Sequence, residues 1–102
     1  MYTIVRRYPM KLTEALKEQI EDTLLPKIKG LDGYRQFSLM EQEGEGFFTV
    51  AIFEGRTNAE ATNRVVQEWQ KERNLNLPTP EITAGDVEFH EAKAAPKKKK
   101  AA

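Results

Sequence analysis

Gly46-Phe47-Phe48-Thr49-Val50-Ala51-Ile52-Phe53-Glu54 is the stretch whose reading decides the fold. Its β-branched and aromatic residues, bounded by glycine on one side and Glu54-Gly55 on the other, read as a strand. Strand alternation puts Phe48, Val50 and Ile52 on one face and Phe47, Thr49, Ala51 and Phe53 on the other. Both sets are apolar, so the strand is expected to be covered on both faces. Burying each large side chain stabilises by roughly 1.5–3 kcal/mol. A face left open on a single chain is therefore expected to be an interface.

Upstream, Glu43-Gly44-Glu45-Gly46 reads as a hairpin connection. It follows a strand over Tyr34 to Glu41, with Phe37 and Leu39 on one face and Gln36, Ser38 and Met40 on the other. Before that, Leu12, Leu16, Ile20, Leu24 and Ile28 recur every four residues, which predicts a helix from Thr13 to about Lys29. Thr13 is its N-cap, and Pro26 is expected to kink or loosen its last turn. Tyr2 to Tyr8 reads as a first strand ended by Pro9, with Tyr2, Ile4, Arg6 and Tyr8 opposite Thr3, Val5 and Arg7. Downstream, Thr57-Asn58-Ala59-Glu60 matches a capping box, and Thr62, Val65, Val66 and Trp69 form the buried stripe of a second helix ending near Asn74. Leu75 to Pro80 is a connector. Ile82 to His90 reads as a last strand, with Val87 and Phe89 opposite Asp86, Glu88 and His90.

The order β-α-β-β-α-β is the α+β, ferredoxin-like arrangement, an antiparallel sheet with two helices on one face. One domain is expected over residues 1–91, followed by a disordered Lys-rich tail over 92–102. Two helices cover one face of the sheet only. A second copy is expected to cover the other, giving a homodimer through the sheet. The interface residues are then either Phe47, Thr49, Ala51 and Phe53, or the opposite set Phe48, Val50 and Ile52.

Composition narrows the chemistry. The 102 residues include no cysteine and one histidine, His90, so thiol chemistry and the usual zinc sites lack their ligands and no metal is expected. Ser38 is the only serine and lies in mid-strand, away from any nucleophile elbow. Phosphate-binding glycine motifs are absent. The 16 basic and 16 acidic residues balance, but five lysines fall in the tail, which leaves 11 basic against 16 acidic in the body. An acidic body disfavours nucleic acid as a partner. RNA-recognition domains share this element order, yet Glu45 stands where their basic residue belongs, and Thr49 and Ile52 stand where their second and third aromatics belong. No apolar run of about 18 residues exists, so no membrane association is expected. No targeting segment is visible, and the expected compartment is the cytoplasm.

Tyr2-Thr-Ile-Val-Arg-Arg-Tyr8, Gly46-Phe-Phe-Thr-Val-Ala-Ile-Phe-Glu54 and Thr83-Ala-Gly-Asp-Val-Glu88 together carry a resemblance. Over about residues 1–91 the chain resembles the dimeric α+β barrel superfamily, which includes antibiotic-biosynthesis-monooxygenase-like proteins. It is more closely similar to a group of small uncharacterised bacterial proteins of that fold. The resemblance implies a ligand cavity between helices and sheet, lined by polar and aromatic side chains. It implies a small-molecule-binding or cofactor-independent monooxygenase-like protein, with no cofactor. The alternative is a non-catalytic structural or interaction dimer.

The candidate pocket residues are Arg6, Ser38, Asn63, Trp69 and His90. Asn63 and Trp69 are six residues apart and do not share one helical face, which departs from the Asn/Trp arrangement of the monooxygenase and haem-degrading relatives. No catalytic residue is carried over. Arg6 and Arg7 point to opposite faces, so one of them faces inward, either to bind an anionic substrate or, as the favoured reading, to pair with Glu88. His90 beside Glu88 offers a conceivable general base.

Overall fold

Strands β1 (Tyr2–Tyr8), β2 (Tyr34–Gln42), β3 (Gly46–Phe53) and β4 (Glu81–Asp86) build one antiparallel sheet in the order β2-β3-β1-β4. The computed structural model describes residues 1–91; the tail expected at 92–102 lies outside the described residues. The central pair, β1 and β3, sets the register: Tyr2 opposes Phe53, Ile4 opposes Ala51, Arg6 opposes Thr49 and Tyr8 opposes Phe47. These eight side chains share the face that lies under the helices. Phe37 and Leu39 of β2 extend it.

The helical layer covers this face alone. Phe47, Thr49, Ala51 and Phe53 are buried beneath it, with Phe53 at 0% exposure. The first of the two proposed interface sets is therefore core of the single chain. Its larger volume, two phenylalanines stacked on or edged against Tyr8 and Tyr34, fills the layer between sheet and helices. Phe48, Val50 and Ile52 point the other way and are half-buried. Val5 opposes Val50 on that open face, and Met40 opposes Phe48.

The predicted first helix is present but not regular. It runs as α1 (Glu14–Gln19), a π-helical turn (Ile20–Leu24) and α2 (Leu25–Lys29). The Thr13 side chain caps it by accepting from the Leu16 N–H at 3.1 Å. The cause of the π-turn is Pro26, which has no N–H to give and whose ring would strike the preceding turn. Widening one turn, so that the Leu25 N–H reaches the Ile20 carbonyl, absorbs the proline without a sharp kink. The apolar stripe Leu16, Ile20, Leu24 and Ile28 stays buried throughout.

The second helix, α3 (Arg56–Glu72), starts earlier than the sequence suggests. Gly55 is its N-cap, and the capping box at Thr57 to Glu60 is not formed. Glu60 instead accepts from Arg56 at 2.9 Å, one turn back along the helix. Its far end behaves as expected. Asn74 takes a positive φ of 55°, the Asn74 N–H bonds the Lys71 carbonyl and the Leu75 N–H bonds the Gln70 carbonyl, a Schellman termination.

Two glycines of the β2–β3 hairpin earn their place. Gly44 has φ +71°, which a side chain rarely tolerates. At Gly46 a Cβ would sit 2.6 Å from the Tyr8 carbonyl oxygen, so only glycine lets the strands approach there. The last strand is shorter than the reading from Ile82 to His90. It runs from Glu81 to Asp86, where Asp86 opposes Tyr2, and one further bond, from the Val87 N–H to the Met1 carbonyl at 2.8 Å, follows it. Phe89, outside the sheet, is 81% exposed.

Candidate functional site

β1 pushes a charged side chain into the apolar layer. Arg6 shares its face with Ile4 and Tyr8 and is 3% exposed. Above it, α3 supplies two acceptors. One Nη2 proton of Arg6 goes to Thr62 Oγ1 at 2.8 Å and the other to Asn63 Oδ1 at 2.5 Å. Thr62 commits its own proton to the Ala59 carbonyl at 2.6 Å, so toward Arg6 it can only accept. The guanidinium is thus held by two neutral groups. Among the described residues Arg6 takes part in no ion pair. Burying a cation without a counter-charge costs roughly several kcal/mol. Burial accordingly pulls Arg6 down from its ordinary value, with the Tyr8 phenol acting the other way.

Arg6 and Tyr8 open onto a cavity of about 350 Å³ between α3, β1, β4 and the connector before β4. Val66, Pro80 and Ile82 give it apolar wall, and Asn63, Gln67 and Gln70 bring amide groups. Asn63, Val66 and Gln70 follow the i, i+3, i+7 spacing that puts them on one side of the helix. Wider hollows of about 610 and 590 Å³ lie elsewhere, but exposed residues such as Arg64, Glu68, Lys11 and Glu14 line them and no buried polar group faces them.

Tyr8 is the second unusual group. It is 3% exposed and its ring stacks on Phe47 with centroids 4.8 Å apart. Its hydroxyl makes no hydrogen bond among the described residues. Burial pushes the phenol above its ordinary value, partly offset by the charge of Arg6. Above the ordinary tyrosine pKa of about 10 the unfolded chain gives up this proton while the folded chain keeps it. The unfolded state then binds fewer protons, so the contribution is intact below about pH 10 and stability falls as pH rises beyond it. Tyr8→Phe is expected to leave stability at pH 7 within about 1 kcal/mol, since no protein partner is lost. It should also flatten the alkaline decline in melting temperature above the ordinary tyrosine pKa of about 10. Arg6, pulled down by burial, contributes the opposite slope in both proteins. Parallel alkaline curves for the two would show that the phenol is not buried as described.

Of the other candidates named from sequence, Trp69 is buried at 1% and belongs to the core beside Arg6 and Tyr8, on the closed side away from the 350 Å³ cavity. Its Nε1 donates to Thr23 Oγ1 at 2.7 Å, and Thr23 donates to the Gln19 carbonyl at 2.5 Å, at the π-turn. Ser38 lies on the open face of the sheet, because strand parity places it with Gln36 and Met40, and it opposes Val50. It does not reach the cavity. His90 is exposed beyond the end of β4 and is not at the cavity either. The expected Arg6–Glu88 pair is not formed: β4 stops at Asp86, leaving Glu88 exposed outside the sheet, while Arg6 turns toward α3. Sequence reading passed over Tyr8, Thr62 and Gln70. The signal for Thr62 was present as a hydroxyl within an otherwise apolar helical stripe.

Solved structures superpose on nearly the whole chain. NE2512 from Nitrosomonas europaea, a protein of unknown function, has a TM-score of 0.67 at 15% identity and covers 92% of this chain and 95% of its own. A variant of SnoaB, a cofactor-independent oxygenase from Streptomyces nogalater, has 0.68 at 12% identity over 90% and 97%. The fold is the antibiotic-biosynthesis-monooxygenase-like α+β barrel fold. A monooxygenase from the gene ActVA-Orf6 of Streptomyces coelicolor, in complex with nanaomycin D, has 0.64 at 15% identity over 91% and 92%. No protein-family model matches the chain, and no curated protein matches it. On this barrel fold the six-residue separation sets Asn63 and Trp69 on either flank of Val66. Asn63 takes the cavity side and Trp69 the core side. Among the described residues no helix is long and apolar enough to cross a membrane, and no cluster of three or more metal-ligating side chains occurs.

Proposed function

We propose that the protein is a homodimeric barrel that binds a small organic molecule between α3 and the sheet. The observation that carries this is the cavity of about 350 Å³ with two buried polar groups, Arg6 and Tyr8, at its wall. Its size lies at the lower end of ligand pockets, matched to a body of one or two rings. The mixture of apolar wall and a few polar groups is that of a site that orients a ligand. The lining contains no carboxylate and no imidazole, so it offers binding and orientation rather than proton abstraction by a basic side chain. The oxygenases that share the fold support a finer reading, cofactor-independent oxygenation of the bound molecule.

The homodimer rests on the open face. Val5, Phe48, Val50, Ile52 and Met40 form its apolar middle, and Met40 is 52% exposed. Arg7, bonded to Gln42 and paired with Glu81, borders it on one side. An apolar centre with a polar rim is the composition of a protein interface.

Thermal melting against a panel of one- and two-ring aromatic compounds tests the binding reading. A ligand at a hundred times its Kd adds about 2.7 kcal/mol of stability. At least one compound is expected to raise the melting temperature, and Gln70→Trp, which fills the cavity from its wall, is expected to abolish that rise. A panel without effect would favour the non-catalytic dimer of the alternative reading, and a rise that survives the substitution would place the ligand outside this cavity. Oxygen uptake with a bound phenolic compound separates oxygenation from binding alone.

A further inference from the structure

Arg6 has five N–H donors, and the protein uses two. Both are on Nη2, bonded to Thr62 and Asn63. The two protons of Nη1 and the one on Nε have no acceptor among the described residues, although the side chain is 3% exposed. Tyr8 is on the same strand face and lines the same cavity, and its hydroxyl has no partner among the described residues either. Buried donors without acceptors are uncommon in folded proteins. Here two such groups line one cavity, and one of them bears a charge with no ion-pair partner among the described residues.

The anchoring of Arg6 explains why the charge stays where it is. Thr62 cannot rotate to donate, because its proton is held by the Ala59 carbonyl. The two neutral acceptors fix the guanidinium by one nitrogen and leave the remainder free. A role confined to stability would be served better by an apolar residue at this position. The donors that remain on Arg6 suit an acceptor oxygen of negative charge that enters from the cavity.

We infer that the ligand is an organic anion, a compact carboxylate with an apolar body. Its charged oxygens accept from the unused N–H groups of Arg6 and from the Tyr8 hydroxyl. The apolar body lies along Val66, Pro80 and Ile82. Charge-assisted hydrogen bonds of this kind are short and strong, and a neutral ester or amide offers one carbonyl acceptor without charge, so it satisfies fewer of the buried donors and leaves the guanidinium charge unbalanced. The inference rests on the binding reading above and adds the chemical class.

Matched pairs of probes test it by calorimetric titration of the full chain at fixed ionic strength. Benzoate and 1-naphthoate are each compared with the methyl ester and the primary amide of the same ring. Each carboxylate is expected to bind at least about tenfold more tightly than its ester or amide. In Arg6→Gln the preference should shrink to less than about twofold, while Arg6→Lys, which keeps the charge, should retain part of it. Tyr8→Phe should weaken the carboxylates more than the esters, because a bond to a charged acceptor is the stronger one. Esters and amides that bind as well as the acids would overturn the anion assignment while leaving the small-molecule site standing. No binding by any probe would remove both. A preference that persists unchanged in Arg6→Gln would place the anion elsewhere and overturn the assignment to Arg6. Should Arg6→Gln not fold, the matched pairs on the unsubstituted chain and Arg6→Lys decide the matter.

Discussion

Trp69→Ala is expected to destabilise the protein by about 3–5 kcal/mol, the range for removing a buried tryptophan or phenylalanine. Trp69 is 1% exposed and stands where α3, the π-turn and the sheet meet. Its loss opens a void among Ile20, Leu24, Phe47 and Val66 and strands the Thr23 hydroxyl that received its N–H. For a domain of this size each kcal/mol moves the melting temperature by about 4–8 °C, so a fall of roughly 12–40 °C should follow. Trp69→Phe keeps most of the volume and is expected to cost only about 1–2 kcal/mol. A cycle of Trp69→Phe with Thr23→Val should give a coupling of about 1 kcal/mol, because the two side chains share one hydrogen bond. Chemical denaturation measures all of these. If Trp69→Ala melts within a few degrees of the parent, the packing centre lies somewhere else.

The second large effect concerns assembly. Val50→Asp is expected to convert a dimer of twice the 11.7 kDa chain mass into a monomer. Val50 sits in the middle of the open face, between Val5 of β1 and Ser38 of β2. A two-fold contact repeats every substitution, so one aspartate per chain places two carboxylates in the same dry interface. Arg7, the cation that borders this face, is already bonded to Gln42 and paired with Glu81, and unpaired buried charge is strongly disfavoured. Weakening by a thousandfold or more, about 4 kcal/mol, is the expected scale. Light scattering after size exclusion at micromolar concentration reads the outcome. An unsubstituted chain that elutes as a clean monomer, or a Val50→Asp protein that stays dimeric, removes this face as the interface.

The cavity and the open face lie on opposite sides of one sheet, and β1 serves both. Arg6 faces the helices and Val5 faces the open side, one residue apart. Binding and assembly are thus separable by single substitutions, as Arg6→Gln and Val50→Asp would show. A ligand effect that vanishes in Val50→Asp would indicate that closure of the barrel shapes the cavity.

Most of the local structure could be read from the chain because it follows from spacing between near neighbours. The four-residue repeat of Leu16, Ile20, Leu24 and Ile28 defines a helix whatever it packs on, and the alternation in β3 defines a strand. Thr13 and Asn74 act within a few residues of themselves, and both behave as their chemistry requires. Local reading went astray where two local options compete. Glu60 had either Thr57 or Arg56 to serve, and Pro26 had either a kink or a widened turn to impose. It failed also at the C-terminal end, where the ladder of β4 on β1 stops with Asp86 opposite Tyr2, a pairing between distant segments that the residues from Val87 to His90 do not reveal.

The functional wall is another matter. Arg6 and Asn63 are 57 positions apart, and nothing between neighbours says that they touch. Parity alone shows that either Arg6 or Arg7 turns inward, and the choice belongs to the register of β1 against β3. The same ambiguity governs β3, whose two faces are both apolar and cannot be ranked by alternation. Volume decides it: the set with two large rings fills the space beneath the helices, and Arg6, on the same side opposite the small Thr49, is carried under α3 with it. The amino-acid order by itself therefore determined the elements, their order and the apolar character of both faces of β3. Only packing across the whole fold determined which face is core, which arginine is buried and what holds it, because those are outcomes of long-range register and shape, not of spacing along the chain.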